Sequence, residues 1–183
     1  MPGPYVFVST FCPPCVTILF VALLKIYAGA APVLRRKAKP IRKVDARLRT
    51  LAADMLETMR EAPGVGLAAP QVGLSERVIV VEYEDRQYAL VNPEIAWRSD
   101  ETEIGEEGCL SLPTLYGDVE RASKVRVKGL DLDSRRVTIE AEGWLARIFQ
   151  HEVDHLDGVL FTDRMAPDAP LRSIRNRPAD EEI

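Results

Sequence analysis

Histidine is nearly absent from this chain. Among 183 residues there are two, so any imidazole chemistry must use that pair. Cysteine is scarce as well, at three residues (Cys12, Cys15 and Cys109). An odd, low count argues against a disulfide framework and for a reducing compartment. Positive charge is not in excess: 24 Lys and Arg stand against 28 Asp and Glu, for a formal net charge of −4. A general affinity for nucleic acid needs clustered positive charge, so no specific nucleic-acid partner is expected. The basic stretch Arg35, Arg36, Lys37, Lys39, Arg42 and Lys43 reads as a solvated face. No apolar run reaches the ~20 residues of a bilayer-crossing helix. The nearest, Val16 to Leu24, is too short, and firm membrane association is not expected.

What is present suits one globular domain: 46% hydrophobic and 28% charged residues are ordinary values for a chain of this size. The N-terminus is less ordinary. Its first charge, Lys25, follows the apolar run instead of preceding it, which is the wrong order for a secretory signal, although Ala28-Gly29-Ala30 has a cleavage-site character. Residues 1–24 read as a poorly ordered extension or as upstream codons from a mistaken start. An imperfect targeting segment is the alternative, so an organellar or exported location stays open beside a cytoplasmic one. Cys12-Pro13-Pro14-Cys15 has C-x-x-C spacing, but no second cysteine pair completes a zinc site and no βαβ pattern surrounds it, so it reads as incidental.

Leu34 to Arg42 contains Pro40 and reads as a loop. Leu48, Leu51, Ala52, Met55, Leu56 and Met59 then recur at helical spacing, with Asp45 as N-cap and Pro63-Gly64 as the stop. Strands are expected over Arg77–Glu82 and Gln87–Val91, joined by a turn at Glu84-Asp85, with a polar loop after Asn92-Pro93. Two more are expected over Val125–Gly129 and Arg136–Glu140, around a turn at Asp131–Ser134. A last helix should run from Gly143 to Leu156, ended by Gly158, with a strand at Val159–Phe161 and a short helix near Leu171–Arg175. The fold class is therefore α+β: mostly antiparallel β-sheets around a central motif-bearing α-helix, with one long N-terminal amphipathic helix.

Both histidines lie in His151-Glu152-Val153-Asp154-His155. On a helix, positions i and i+4 share a face, so the two imidazoles can grip one metal ion. The intervening Glu152 can then act as a base on water. A catalytic site of this type needs a third protein ligand and an open position. Downstream carboxylates (Asp163, Asp168, Asp180, Glu181, Glu182) lie in loop or tail sequence, whereas Cys109 follows Gly108, which allows close backbone approach. Residue types alone leave a carboxylate or a cysteine as third ligand.

Three segments, in order, resemble the peptide deformylase family. Gly64-Val65-Gly66-Leu67-Ala68-Ala69-Pro70-Gln71 matches its first motif, Glu107-Gly108-Cys109-Leu110-Ser111 its second, and Gln150-His151-Glu152-Val153-Asp154-His155-Leu156 its third. The resemblance implies a catalytic domain over residues 25–165, followed by a tail at 166–183. It implies that Cys109, His151 and His155 hold one divalent metal ion: Fe²⁺ natively, with Zn²⁺, Ni²⁺ or Co²⁺ as alternatives. It further implies that Glu152 is the general acid/base, and that the Gln71 amide and the Leu110 backbone N–H hold the oxyanion.

The implied reaction is hydrolysis of the N-formyl group on the N-terminal methionine of newly made polypeptides, by hydroxide generated on the metal, with release of formate. The implied partners are N-formylmethionyl peptides and nascent chains, with transient ribosome contact, and the protein is expected to be a monomer. Backbone groups of Val65, Gly66 and Gly108 would pair with an extended peptide. Val65, Trp144 and Ile148, with the stem of Arg147 as a wall, would form the methionine pocket; plain core packing is the rival reading of Trp144 and Ile148. Glu107 and Asp154 either orient a histidine or form ordinary salt bridges. Some bacterial members carry an arginine where this chain has Tyr116, which touches the outer cleft and not the metal chemistry.

Two other functions compete. A zinc endopeptidase shares the H-E-x-x-H spacing but takes its third ligand from a downstream Glu or His. A non-catalytic metal-binding domain needs neither Gln71 nor Glu152 and would close the fourth position.

Overall fold

The computed structural model of the chain describes residues 22–173. The Cys12/Cys15 pair, most of the Val16–Leu24 run and the tail beyond Ser173 lie outside the described residues.

Helix α1 spans Ala46–Glu61, and Asp45 caps it by accepting the Leu48 N–H at 3.0 Å. Its apolar stripe (Leu48, Leu51, Ala52, Met55, Met59) is buried against Leu67, Val78, Val80 and Val91. Each such side chain taken from water contributes ~1.5–3 kcal/mol. The short strand β1 (Gly66–Ala68) follows, then β2 (Val78–Tyr83) and β3 (Arg86–Arg98). β2 is apolar on both faces for a reason. Val78 and Val80 meet α1, while Ile79 and Val81 belong to the second core with Phe149, Ile148, Ala146 and Leu156 of helix α2 (Gly143–Leu156).

β4 (Thr102–Cys109) and β5 (Leu112–Ala122) form a long hairpin, and β6 (Lys124–Leu130) and β7 (Arg136–Glu142) a second one. Two separate sheets result: β1-β2-β3-β6-β7, and β4-β5-β8, where β8 is Arg172–Ser173. All the strand pairs are antiparallel. Helix α2 packs on strands of both sheets, β1, β2, β3, β6 and β7 on one side and β5 on the other. Gly158 ends the helix region at φ +76, beside the backbone of Arg35.

Four expectations need correction. β3 does not stop before Asn92-Pro93. Asn92 takes a positive φ of 51 within a register shift, and its side chain pairs with both the N–H and the C=O of Ile41 at 2.8 Å each, so the strand continues past the proline. β4 and β5 were not expected as strands at all. β4 reads Thr-Glu-Ile-Gly-Glu-Glu-Gly-Cys, poor in β-formers, and is held by its ladder to β5. Val159–Phe161 is not a strand: Asp163 accepts the Leu160 N–H at 2.8 Å and closes a 3-10 turn over Phe161–Asp163. Finally, Arg172–Ser173 extends along β5 instead of opening a helix.

Candidate active site

The last turns of α2, the end of β4 and the segment after β1 converge on one cavity. Cys109 Sγ lies 3.2 Å from His155 Nε2, which lies 3.2 Å from His151 Nε2. These three ligand atoms sit within 4.8 Å of one another and form the one His/Cys/Asp/Glu group among the described residues that could hold a metal. Among the downstream carboxylates, Asp163 is bound instead by Arg35 and the Leu160 N–H, so the cluster takes its third donor from Cys109.

The side chains behind the ligands fix their direction. Glu107 Oε2 lies 2.9 Å from His151 Nδ1, which turns Nε2 toward Cys109 and His155. The same carboxylate accepts from Arg121 Nε at 2.9 Å and Nη2 at 3.0 Å, and from Arg147 Nη1 at 3.0 Å. Burial pushes the Glu107 carboxyl up, but hydrogen bonds from His151 and Arg121 outweigh it and hold the pKa at about 2. Asp154 faces away from the cluster and pairs with Arg121 and with Arg164 at 2.7 Å. Of the two acidic residues, Glu107 therefore orients a histidine and Asp154 is a salt-bridge partner.

Glu152 is buried beside this cluster, and its Oε2 has no hydrogen-bond partner among the described residues. Burial raises its pKa to about 7, opposed by the charge of His151 and assisted by that of Glu107. Gly66 lies against it, where any Cβ would overlap the carboxylate. Gln71 is 1% exposed; its Oε1 accepts the Ala68 N–H at 2.8 Å, which directs Nε2 to Ser111 Oγ (3.3 Å) and Cys109 Sγ (3.6 Å). The Ser111 N–H also points at the sulfur, at 3.4 Å.

The donor set fits a divalent transition ion. Two neutral-capable imidazole nitrogens and one thiol sulfur face one point. Burial opposes charge on His151, yet Cys109 and Glu107 outweigh it and raise its pKa well above the imidazole norm. His155 is driven well below that norm, by burial first and by His151 second.

The cavity measures about 500 Å³ and is lined by Val65, Gly66, Gly108, Trp144, Arg147 and Ile148, together with Gln71, Glu107, Cys109, Leu110, His151 and Glu152. Every residue expected to touch peptide thus lies on its wall. Trp144 is 47% exposed there, whereas Ile148 is 3% exposed and also belongs to the core. The Arg147 guanidinium is occupied: it donates to the carbonyls of Glu103, Gly105 and Val119.

The family model described as polypeptide deformylase matches residues 23–170. The chain belongs to that family. The peptide deformylase of Symbiobacterium thermophilum is 50% identical to it over 165 residues, covering 88% of this chain and 76% of the relative. That of Natranaerobius thermophilus is 56% identical over 144 residues, covering 78% and 92%. The crystal structure of peptide deformylase from Thermotoga maritima is similar with a TM-score of 0.78 at 45% identity, covering 80% of this chain and 99% of that one. A class I type b peptide deformylase from Acinetobacter baumannii, solved with Met-Ala-Ser bound, gives 0.77 at 42% identity, covering 80% and 100%.

Like its family, this deformylase is a metal-dependent hydrolase that removes the N-formyl group from new polypeptides. No helix among the described residues is long and apolar enough to cross a membrane.

Sequence reading passed over several residues of the deformylase site. Arg121 joins Glu107 to Asp154 from the end of β5, where an isolated arginine gives no signal. Ser111 was within a motif but had no role until its hydroxyl met Gln71. Gln150 clips α2 to β5 through both the N–H (3.2 Å) and the C=O (2.9 Å) of Ala122.

Proposed function

We propose that Glu152 is the proton carrier of the deformylation and that Gln71 and the Leu110 N–H stabilise its oxyanion. The observation that carries this reading is the placement of a buried carboxylate and a fixed amide donor beside one Cys-His-His cluster, on the wall of one cavity. Cys109, His151 and His155 would hold the ion, which when bound supplies Lewis acidity and makes water nucleophilic near neutral pH. Ferrous iron is the ion proposed for the cell, with zinc, nickel and cobalt able to use the same donors.

Glu152 takes the proton that the attacking water loses and returns it to the amide nitrogen as the C–N bond breaks, so formate and a free α-amine leave together. The Gln71 amide cannot turn away, because its own oxygen is tied to the Ala68 N–H. It is therefore set in advance to donate where negative charge develops on the formyl oxygen. The methionine side chain enters between Val65, Trp144 and Ile148, with the Arg147 stem behind.

Substrate backbone is read by the two sheets. β1 ends one sheet and β4 ends the other, and both reach the cavity through Gly66 and Gly108. An extended peptide laid between them would pair with backbone groups of Val65, Gly66 and Gly108, a mode that demands little of side chains beyond the first residue. Residues 25–165 form the catalytic unit in this reading. The enzyme acts as a monomer in the cytoplasm, with transient contact at the ribosome.

Formate release from a formyl-Met peptide by anaerobically purified protein, with metal analysis of the same sample, tests the reading. Full iron occupancy without formate would overturn it. Wild-type activity and full metal retention in Cys109→Ser would return the third ligand to a carboxylate, and with it the endopeptidase alternative.

A further inference from the structure

The family match ends at residue 170, and Arg172 lies just beyond it. Arg172 occupies a defined row of the small sheet. Gly108 of β4 is paired with Tyr116 of β5, and Tyr116 is paired with Arg172 of β8, so the three lie side by side on one face. Two residues along on the same face stand Glu106 and its partner Asp118. The guanidinium folds back across this row. It lies 5.0 Å from the Tyr116 ring centre, donates to Asp118 at 2.7 and 3.0 Å, and reaches Glu106 at 3.0 Å. Glu106 and Tyr116 both line the catalytic cavity. The Arg172 side chain keeps 35% of its surface exposed.

The path of a peptide from the reaction centre passes this group. The formyl end must sit at Cys109, so the following residues leave along β4 past Gly108. Further along that edge, the carbonyls of Gly105 and Glu103 are already taken by Arg147, which closes the edge to pairing beyond Glu106. The chain after the methionine is thus carried over the face formed by Glu106, Tyr116 and Arg172.

We propose that Arg172, supplied by the C-terminal strand, sets the charge preference of the deformylase for the residues that follow formyl-methionine. It is a specificity residue at the outer cleft and takes no part in the chemistry. With Arg172 present, the rim of one guanidinium and two carboxylates carries one net negative charge. Removing it makes the same rim more negative by one charge. The inference rests on the proposed peptide path along β4.

The test is kcat/KM for formyl-Met-Ala-Asp, formyl-Met-Ala-Ser and formyl-Met-Ala-Lys with wild type, Arg172→Gln and Glu106→Gln. One unit charge acting at about 4 Å under full water screening is worth about fivefold in binding. Arg172→Gln should raise the Lys/Asp ratio through KM by up to about 25-fold, about fivefold from each peptide, and Glu106→Gln should lower it. Both shifts should shrink in high salt. Because the two variants move the ratio in opposite directions, loosening of β8 alone cannot imitate the result. A uniform fall across the three peptides, or ratios unchanged in both variants, overturns the inference while leaving the deformylase reading intact. Absence of formate from every peptide with metal-loaded wild type overturns that reading, and this inference with it.

Discussion

Glu107 Oε2 lies 2.9 Å from His151 Nδ1, and the same carboxylate is gripped through both oxygens by Arg121. One buried acid therefore aims a ligand and anchors a strand. Glu107→Gln keeps the shape and removes the charge. Metal affinity should fall ~10–100-fold, as it does when a histidine's outer partner is weakened. Chelator competition measures this, and an unchanged affinity would show that Glu107 serves only Arg121.

Among the described residues, Arg121 is the one guanidinium that pairs with both buried carboxylates, Glu107 and Asp154. Arg121→Met takes a partner from each and leaves Glu107 to Arg147 and His151 and Asp154 to Arg164. Removing one partner of a buried ion pair typically costs about 3–5 kcal/mol. Urea unfolding of the metal-loaded protein should show a loss of that order, and a loss under 1 kcal/mol would mean that water or Arg164 takes over.

Glu152→Gln should cut kcat by ~10²–10⁴, the usual worth of a positioned general acid/base. Metal content and melting temperature should stay near wild type, since the carboxylate ties down no neighbour through Oε2. Retained activity with retained metal would remove Glu152 from the mechanism.

Gln71→Ala deletes the fixed amide donor and should lower kcat by ~10²–10³. Ser111→Ala should have a smaller effect in the same direction, because Ser111 Oγ only receives the amide at 3.3 Å. If Ser111→Ala proved the more damaging, the hydroxyl itself would have to touch substrate.

Asp163 provides the pH test. Burial raises its pKa, but the Leu160 N–H and Arg35 outweigh burial and leave it below the ordinary 3.8. A folded pKa below the unfolded one means stability that is fully present above pH ~4 and lost as pH falls through the folded value. Asp163→Asn should thus melt below wild type at pH 7, and the gap should close as pH falls below the ordinary carboxylate range. The side chain is 40% exposed, so the gap will be small. A gap independent of pH would assign the effect to the turn and not to the charge.

The reading from sequence succeeded where periodicity or motif chemistry was local. α1 announces itself through Leu48, Leu51, Met55 and Met59, and Asp45 caps it as expected. β2 was visible as a β-branched run because it is buried on both faces. β4 was not visible, because Glu106 and Glu107 serve partners later in the chain, Arg172 and Arg121. Asn92-Pro93 misled for a similar reason. Its loop-like residues fill a bulge whose hydrogen bonds are completed by Ile41 from another part of the molecule. The metal cluster could be anticipated from three motifs, whereas the arginines that hold it together could not, since a single arginine in a strand carries no pattern.

The two sheet ends that meet at the cavity bear on solubility. A free strand edge is a template for association with any other extended chain. At the far end of the larger sheet, β7 discourages this with exposed Arg136, Glu140 and Glu142. β1 has no such charges; it is three residues long, Gly-Leu-Ala, and wholly buried. Its protection is concealment. A folded neighbour cannot present a strand inside a cleft of this size, while the loose leading end of an unfinished chain can. On the proposed peptide path, the recess that shields the β1 edge would also favour polypeptides whose leading end has not yet folded.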